Sequence, residues 1–118
     1  MSTRAHLIIR NGDKKVYVYH HCDGYPAGVG EDVRQFINEN GKDIFSPAEF
    51  AIDLNTWSCD YEVENIGLHG DEDYVYDIDL KNKTYTCYNT HKNNNGVKWC
   101  DITEPEVYHC DKCFEESF

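Results

Sequence analysis

The sequence predicts an α+β fold: a single antiparallel sheet of about five to six strands, built on two hairpins, with two helices packed on one face, in the order β-β-α-α-β-β-β-β. Three observations carry this reading. Alternating stretches near the start flank the turn signal Asn11-Gly12-Asp13-Lys14. Two apolar stripes of helical period follow, the second opened by Ser46-Pro47-Ala48-Glu49. A second hairpin pattern then runs from Tyr74 to Asn89.

The first hairpin joins "AHLIIR" to "KKVYVYHH". A turn centred on Gly12-Asp13 pairs Ile9 with Val16 and Leu7 with Val18, so that four aliphatic side chains share a face. Centring it on Asn11-Gly12 would set Ile9 against Lys14, and a slip of one residue reverses a strand's faces. Extending the favoured register places Arg4 across from His21 and Thr3 across from Cys22. In the first helix, Val29, Val33, Phe36 and Ile37 recur at i, i+4, i+7 and i+8. Glu31 and Asp32 suit its positive end, and Asn40-Gly41 is a stop. The second helix has a capping box at Ser46 and Glu49 with proline in the first helical position. Phe45 and Phe50 are spaced as a hydrophobic staple. Phe50, Ala51, Leu54 and Trp57 form its apolar face, and it ends near Trp57 or Ser58.

"CDYEVEN" reads as a short strand and "IGLHGDED" as a loop. In "YVYDIDLKNKTYTCYN" an Asn82-Lys83 turn sets Leu80 against Tyr85 and Ile78 against Cys87. Tyr76 joins that face, and Asp77 and Asp79 turn to solvent. "NTHKNNNG" is a polar loop, "VKWCDI" a last strand, and "EPEVYHCDKCFEESF" a turn followed by a short helix.

A chain of 118 residues fits one domain spanning 1–118. Nine tyrosines, five phenylalanines and two tryptophans supply large apolar surfaces for its core. Acidic residues outnumber basic ones by 22 to 11, for a net charge of −11, which excludes general binding to a phosphate backbone. The acidity leaves solubility, a basic protein partner or imitation of a polyanion. No apolar run follows Met1 and none reaches the ~20 residues of a membrane span, so the expectation is a cytoplasmic protein, without membrane or direct nucleic-acid partners, whose six cysteines are reduced.

The stretch "YHHCDGYPAGVGEDV", Tyr19 to Val33, concentrates the candidate chemistry. Cys22 lacks a clear activating partner: His21 falls on the opposite strand face, His20 shares a face with Cys22 only if the strand runs that far, and no orienting group is evident downstream. Gly24, Gly28 and Gly30 precede a helix, yet their spacing is neither a P-loop nor a dinucleotide fingerprint, and Glu31 and Asp32 oppose an anion there. A combined pocket fits better. His21, Asp23 and Tyr25 present an imidazole, a carboxylate and a phenol from one compact loop, with Arg4 beside them in the extended register. Such a set either holds a polar ligand or locks the loop to itself, since Asp before Gly is also a strong turn signal. Cys110-x-x-Cys113, with His109 alongside and Cys100 ten residues earlier, has zinc-knuckle spacing. It lacks a second CxxC, so no metal or other cofactor is assigned. "GDEDYVYDID" lacks the glycine and final glutamate of a calcium loop.

Through Thr3, Arg4 and His21-x-Asp23-Gly24-Tyr25-Pro26-x-Gly28-x-Gly30 the chain resembles a group of small phage and prophage proteins over roughly its first third. Cys22 stands where that group often has an aromatic residue. The group has no established activity, so the resemblance implies a functional loop and a setting in phage infection or prophage carriage, and names no reaction. The expected function is a small binding protein that uses Arg4, His21, Asp23, Gly24, Tyr25, Gly28 and Gly30 to hold a small polar ligand or a host protein partner. The alternatives are an acidic inhibitor of a basic host surface and a small hydrolase-like enzyme with His21 and Asp23 as acid and base.

Overall fold

The computed structural model describes residues 3–58, 61–64, 68, 72–93, 96, 98 and 102–118. These form an α+β structure around one mixed six-stranded sheet. In chain order the strands are β1 (Ala5–Asn11), β2 (Lys14–His20), β3 (Tyr61–Glu64), β4 (Tyr74–Asp79), β5 (Thr84–Asn93) and β6 (Cys110–Ser117). Across the sheet their order is β3-β2-β1-β4-β5-β6. Helix α1 (Glu31–Phe36) is flanked by π-helical turns at Pro26–Gly30 and Ile37–Gly41; α2 spans Pro47–Trp57 and α3 spans Glu104–Val107.

The first hairpin has the expected register, with Leu7 opposite Val18 and Ile9 opposite Val16. Its ladder ends at Ala5 and His20, so the extension of that register to Arg4–His21 and Thr3–Cys22 does not form. The sheet is not wholly antiparallel, because β1 pairs with β4 in parallel. The residues of β1 explain why. Ala5 to Ile9 are all buried, and a strand buried on both faces sits inside a sheet with a neighbour on each edge. The first hairpin fills one edge of β1, β3 then extends the sheet beyond β2, and the chain returns to fill the other edge with β4.

The second hairpin differs from expectation by two residues. Ile78 faces Tyr85 and Tyr76 faces Cys87, leaving Leu80 to Lys83 as the connection. Asp79 selects it: one carboxylate oxygen accepts from the Lys81 and Asn82 amides at 3.0 and 3.1 Å, and the other accepts from the Asn82 side chain at 2.8 Å. A shift of two keeps each residue on its face, so Tyr76, Ile78, Leu80, Tyr85 and Cys87 all enter the main core as expected.

That core lies between the sheet and α1 and α2, where Val33, Phe36, Phe50 and Leu54 meet Leu7, Ile9, Val18 and Tyr61. Ser46 caps α2 by accepting from the Glu49 amide at 3.3 Å. Phe45 does not close a staple in the core; it is 60% exposed, with the Lys83 ammonium 4.3 Å from its ring centre.

The opposite face is covered too: α1 and α2 share one face as expected, but a third helix lies on the other, which corrects the helix count and the placement of Asp77 and Asp79. Ile8, Val75 and Tyr88 pack there against Ile102, Val107 and Cys110 around the third helix, α3. Glu104 ties α3 to β2 through Lys15 and Tyr17. Asp77 and Asp79 are each only 3% exposed. Arg10 makes them tolerable: its guanidinium donates to both oxygens of Asp77, at 2.8 and 2.9 Å, and lies 3.4 Å from Asp79. The C-terminal segment is likewise not a turn then a helix: α3 comes first, and Cys110–Ser117 is an edge strand paired with β5. The strand expected at residues 97–102 falls largely outside the described residues.

Removing Arg10 should leave Asp77 buried without its ion-pair partner and take the cation away from Asp79, which keeps its bonds from Lys81 and Asn82. Arg10→Met is expected to lower stability by about 2–4 kcal/mol in urea unfolding at pH 7, below the usual range for a buried pair because Arg10 is partly exposed. Burial opposes the charge on Asp79, but its hydrogen bonds from Asn82 and the nearby Arg10 outweigh this and hold its carboxyl below the ordinary value. The stability it contributes is therefore full above the unfolded carboxylate pKa and lost as pH falls through the lower folded one. The gap between wild type and Arg10→Met should narrow as pH drops below about 4.

Candidate functional site

The motif loop is built by its own backbone. Asp23 adopts φ of 54°, a left-handed conformation that Asp tolerates better than most side chains. Its carbonyl then accepts from the Val29 amide at 2.8 Å, and the Tyr25 carbonyl accepts from Gly28 at 2.9 Å. A Cβ on Gly28 would stand 2.2 Å from the Asp23 carbonyl oxygen. Gly24 donates to the Thr3 carbonyl at 2.9 Å, and a Cβ there would meet Arg4 backbone at 2.8 Å. Both glycines are thus required by close approach of chain to chain. Gly30 is not: its nearest neighbour would be Tyr76 at 3.4 Å, an ordinary contact. Below the loop, the Tyr76 hydroxyl donates to the Gly24 carbonyl at 2.6 Å and the Tyr85 hydroxyl to the Gly30 carbonyl at 3.0 Å.

Of the expected site residues, Asp23 and Tyr25 come together: the Tyr25 hydroxyl donates to Asp23 at 3.2 Å, which raises the phenol's pKa. His21 pairs instead with the Tyr19 hydroxyl at 3.3 Å. Arg4 is fixed through its main chain, its amide donating to the Asp73 carboxylate and its carbonyl accepting from the Asp73 amide, both at 2.9 Å. Gly24, Gly28 and Gly30 shape the loop through their backbones.

An open groove of about 690 Å³ lies beside this loop, lined among others by His20, Cys22, Asp23, Glu31, Asp32 and Ser58. Its polar wall includes residues from three segments: His20 ends β2, Asp32 sits on α1 and Ser58 follows α2. Tyr61, which opens β3 directly across from His20, is buried and backs Asp32. The His20 ring is 8% exposed and packs on Tyr61 with centroids 4.6 Å apart. Its Nδ1 bonds the Cys22 carbonyl. A carbonyl only accepts, so Nδ1 carries a hydrogen, and in the neutral ring Nε2 presents a lone pair. Among the described residues Nε2 has no hydrogen-bond partner. One Asp32 oxygen accepts from Tyr61 at 2.9 Å and from Ser58 at 3.2 Å, leaving the other oxygen without a hydrogen bond among the described residues. Burial, followed by the Asp32 charge, pushes the Tyr61 phenol well above its ordinary pKa, so it remains a donor. The groove's cation is already engaged: Arg34 makes a fork of 2.8 and 2.7 Å with Glu116, pairs with Glu31, and lies 4.7 Å from the Phe114 ring centre.

Sequence reasoning missed His20, Asp32, Ser58 and Tyr61 as a set. The signal was in the first hairpin, where His20 continues the stripe of Val16 and Val18 and so puts a polar ring on the face that α2 covers. The CxxC pair separates: Cys110 packs against α3 with its thiol 3.6 Å from the Glu106 carbonyl, whereas Cys113 interacts with Cys87 on the other side of the sheet. Cys100 lies outside the described residues, and no group of three metal-binding side chains occurs among those described. No described helix is long and apolar enough to cross a membrane. No family model, curated protein or solved structure matches the chain.

Gly28→Ala and Gly30→Ala separate the structural glycines from the incidental one. Urea unfolding should show Gly28→Ala destabilised by about 1–3 kcal/mol, from the forced shift of the Asp23 carbonyl. Gly30→Ala should stay within about 1 kcal/mol of wild type.

Proposed function

We propose that this protein is a binding module whose groove between the motif loop, α1 and the end of α2 takes a small polar ligand bearing a cationic, hydrogen-bond-donating group. The observation that carries the reading is an excess of negative charge, three carboxylates (Asp23, Glu31 and Asp32) against the one guanidinium of Arg34. His20 Nε2 and the second Asp32 oxygen offer lone pairs, Asp23 and Glu31 add negative charge, and Arg34 is engaged by Glu116 and Glu31. An ammonium or guanidinium supplies what such a wall lacks. The same chemistry would accept a lysine or arginine side chain of a partner, which connects this reading with that of an acidic inhibitor of a basic host protein. The resemblance of the Thr3-Arg4 and His21–Gly30 motif to phage and prophage proteins supports a setting in infection or prophage carriage. The hydrolase reading draws no support from His21 and Asp23, which bond different tyrosines.

Calorimetric titration with agmatine, as a free guanidinium, and with acetyl-arginine amide, as a peptide side chain, tests this at low ionic strength, where charge is least screened. Saturable binding of either is expected, with no binding of inorganic phosphate. Asp32→Asn keeps an acceptor for Tyr61 and Ser58 but removes the charge, and should weaken binding at least tenfold. Equal affinity in Asp32→Asn, or no saturation by either cation at millimolar concentration, would overturn the proposal.

A further inference from the structure

The seam between β5 and β6 carries a second candidate site, independent of the groove. The pairing runs from Thr84–Ser117 to Cys87–Phe114 and resumes at Tyr88–Lys112, so Cys113 is the extra residue of a β-bulge. A bulge sets two residues of one strand against one of its partner. Strict alternation would send Cys113 to the face opposite Phe114. The bulge turns it toward Cys87 instead: its thiol interacts with Cys87, Tyr74 and Tyr76, whose side chains occupy the face under α1 and α2. Cys87 pairs directly with Phe114, and Cys113 is the unpaired residue next to it, so the two thiols meet across the bulge and not at a ladder position. Both cysteines are free thiols, Cys87 fully buried and Cys113 exposed.

We propose that Cys113 and Cys87 are a reversible dithiol–disulfide pair, oxidised by a hydroperoxide that reaches Cys113 first. The Cys113 thiolate attacks one peroxide oxygen, the O–O bond breaks, and the other oxygen leaves with a proton as water or an alcohol. Cys113 is then a sulfenic acid. The Cys87 sulfur attacks the Cys113 sulfur, forming the S–S bond as the S–O bond breaks. The departing hydroxide takes the Cys87 proton and leaves as water. Two thiols lose two electrons and the peroxide gains them. A dithiol reductant reverses the change by exchange.

The two positions suit these roles. Exposure gives the oxidant access to Cys113, and burial pushes the Cys87 thiol up, which keeps it from competing for the peroxide. The bond would fasten an edge strand. Strand β6 also holds to the molecule through β5, through Cys110 against α3, and through Phe114 and Glu116, which engage Arg34 beside the groove.

The test uses the reduced full chain treated with equimolar hydrogen peroxide, alkylated, digested and read by mass spectrometry. A peptide linking Cys87 to Cys113 is expected as the main oxidised product, and dithiothreitol should remove it. Cys113→Ser, at an exposed position chosen to spare the core, should abolish the linkage. Amide exchange within Cys110–Ser117 should slow at least severalfold in the oxidised protein. The proposal is overturned if Cys113 accumulates as sulfenic or sulfinic acid without a linkage, if it joins another cysteine, or if it stays reduced while other thiols oxidise.

Discussion

Two buried phenol hydroxyls hold the candidate site to the sheet. Tyr76 and Tyr85 face the helices from neighbouring strands, their rings stacked with centroids 6.0 Å apart. One donates to the carbonyl of Gly24 and the other to that of Gly30. A buried carbonyl left without a donor costs about 1–3 kcal/mol, so the loop has a strong preference for this seat. Burial raises the pKa of both phenols far above any physiological pH, which keeps them as donors. With both ends of the loop pinned, the start of α1 has one position, and Asp32 comes to lie within reach of Tyr61 and Ser58.

The groove follows from that placement. His20 and Tyr61 are cross-strand partners in the sheet, so their separation is set by the β2–β3 ladder. Asp32 arrives from the helix layer above. The groove therefore joins a sheet edge to a helix through one hydrogen bond, Tyr61 to Asp32. On its far side Arg34 is clamped by Glu116 from β6, so the basic residue nearest the acidic wall is committed to bracing the fold. A wall made this way costs little to reorganise on binding, because its acceptors are already oriented by their neighbours.

What was legible in the sequence was local. The first hairpin's register could be read from four aliphatic residues, and the Ser46 cap from its spacing. The faces of Tyr76, Ile78 and Cys87 followed from alternation even where the pairing was shifted, because a shift of two conserves faces. What was not legible was set by distant partners. Asp77 and Asp79 alternate as a solvated strand would; Arg10, a residue of β1, compensates the burial of Asp77 and assists Asp79, which also accepts from Lys81 and Asn82. The parallel β1–β4 contact has no local signal beyond the apolar run Leu7-Ile8-Ile9 of β1. The motif forms a tight loop in which Gly24 and Gly28 serve close chain approach, and the groove beside it draws His20, Asp32 and Ser58 from segments up to 38 residues apart, from 20 to 58, with Tyr61 buried behind Asp32.

The protonation of one ring carries the ligand chemistry proposed for the groove. With the hydrogen of His20 on Nδ1, held by the Cys22 carbonyl, Nε2 is an acceptor and the wall calls for a donor-bearing cation. Long-range proton–nitrogen correlation spectra of the uniformly nitrogen-labelled protein at neutral pH read this directly. The expected result is a His20 ring protonated at Nδ1 alone, with its Nε2 resonance shifting as agmatine is added. A ring protonated at Nε2, or an Nε2 resonance unmoved by saturating agmatine, would contradict it.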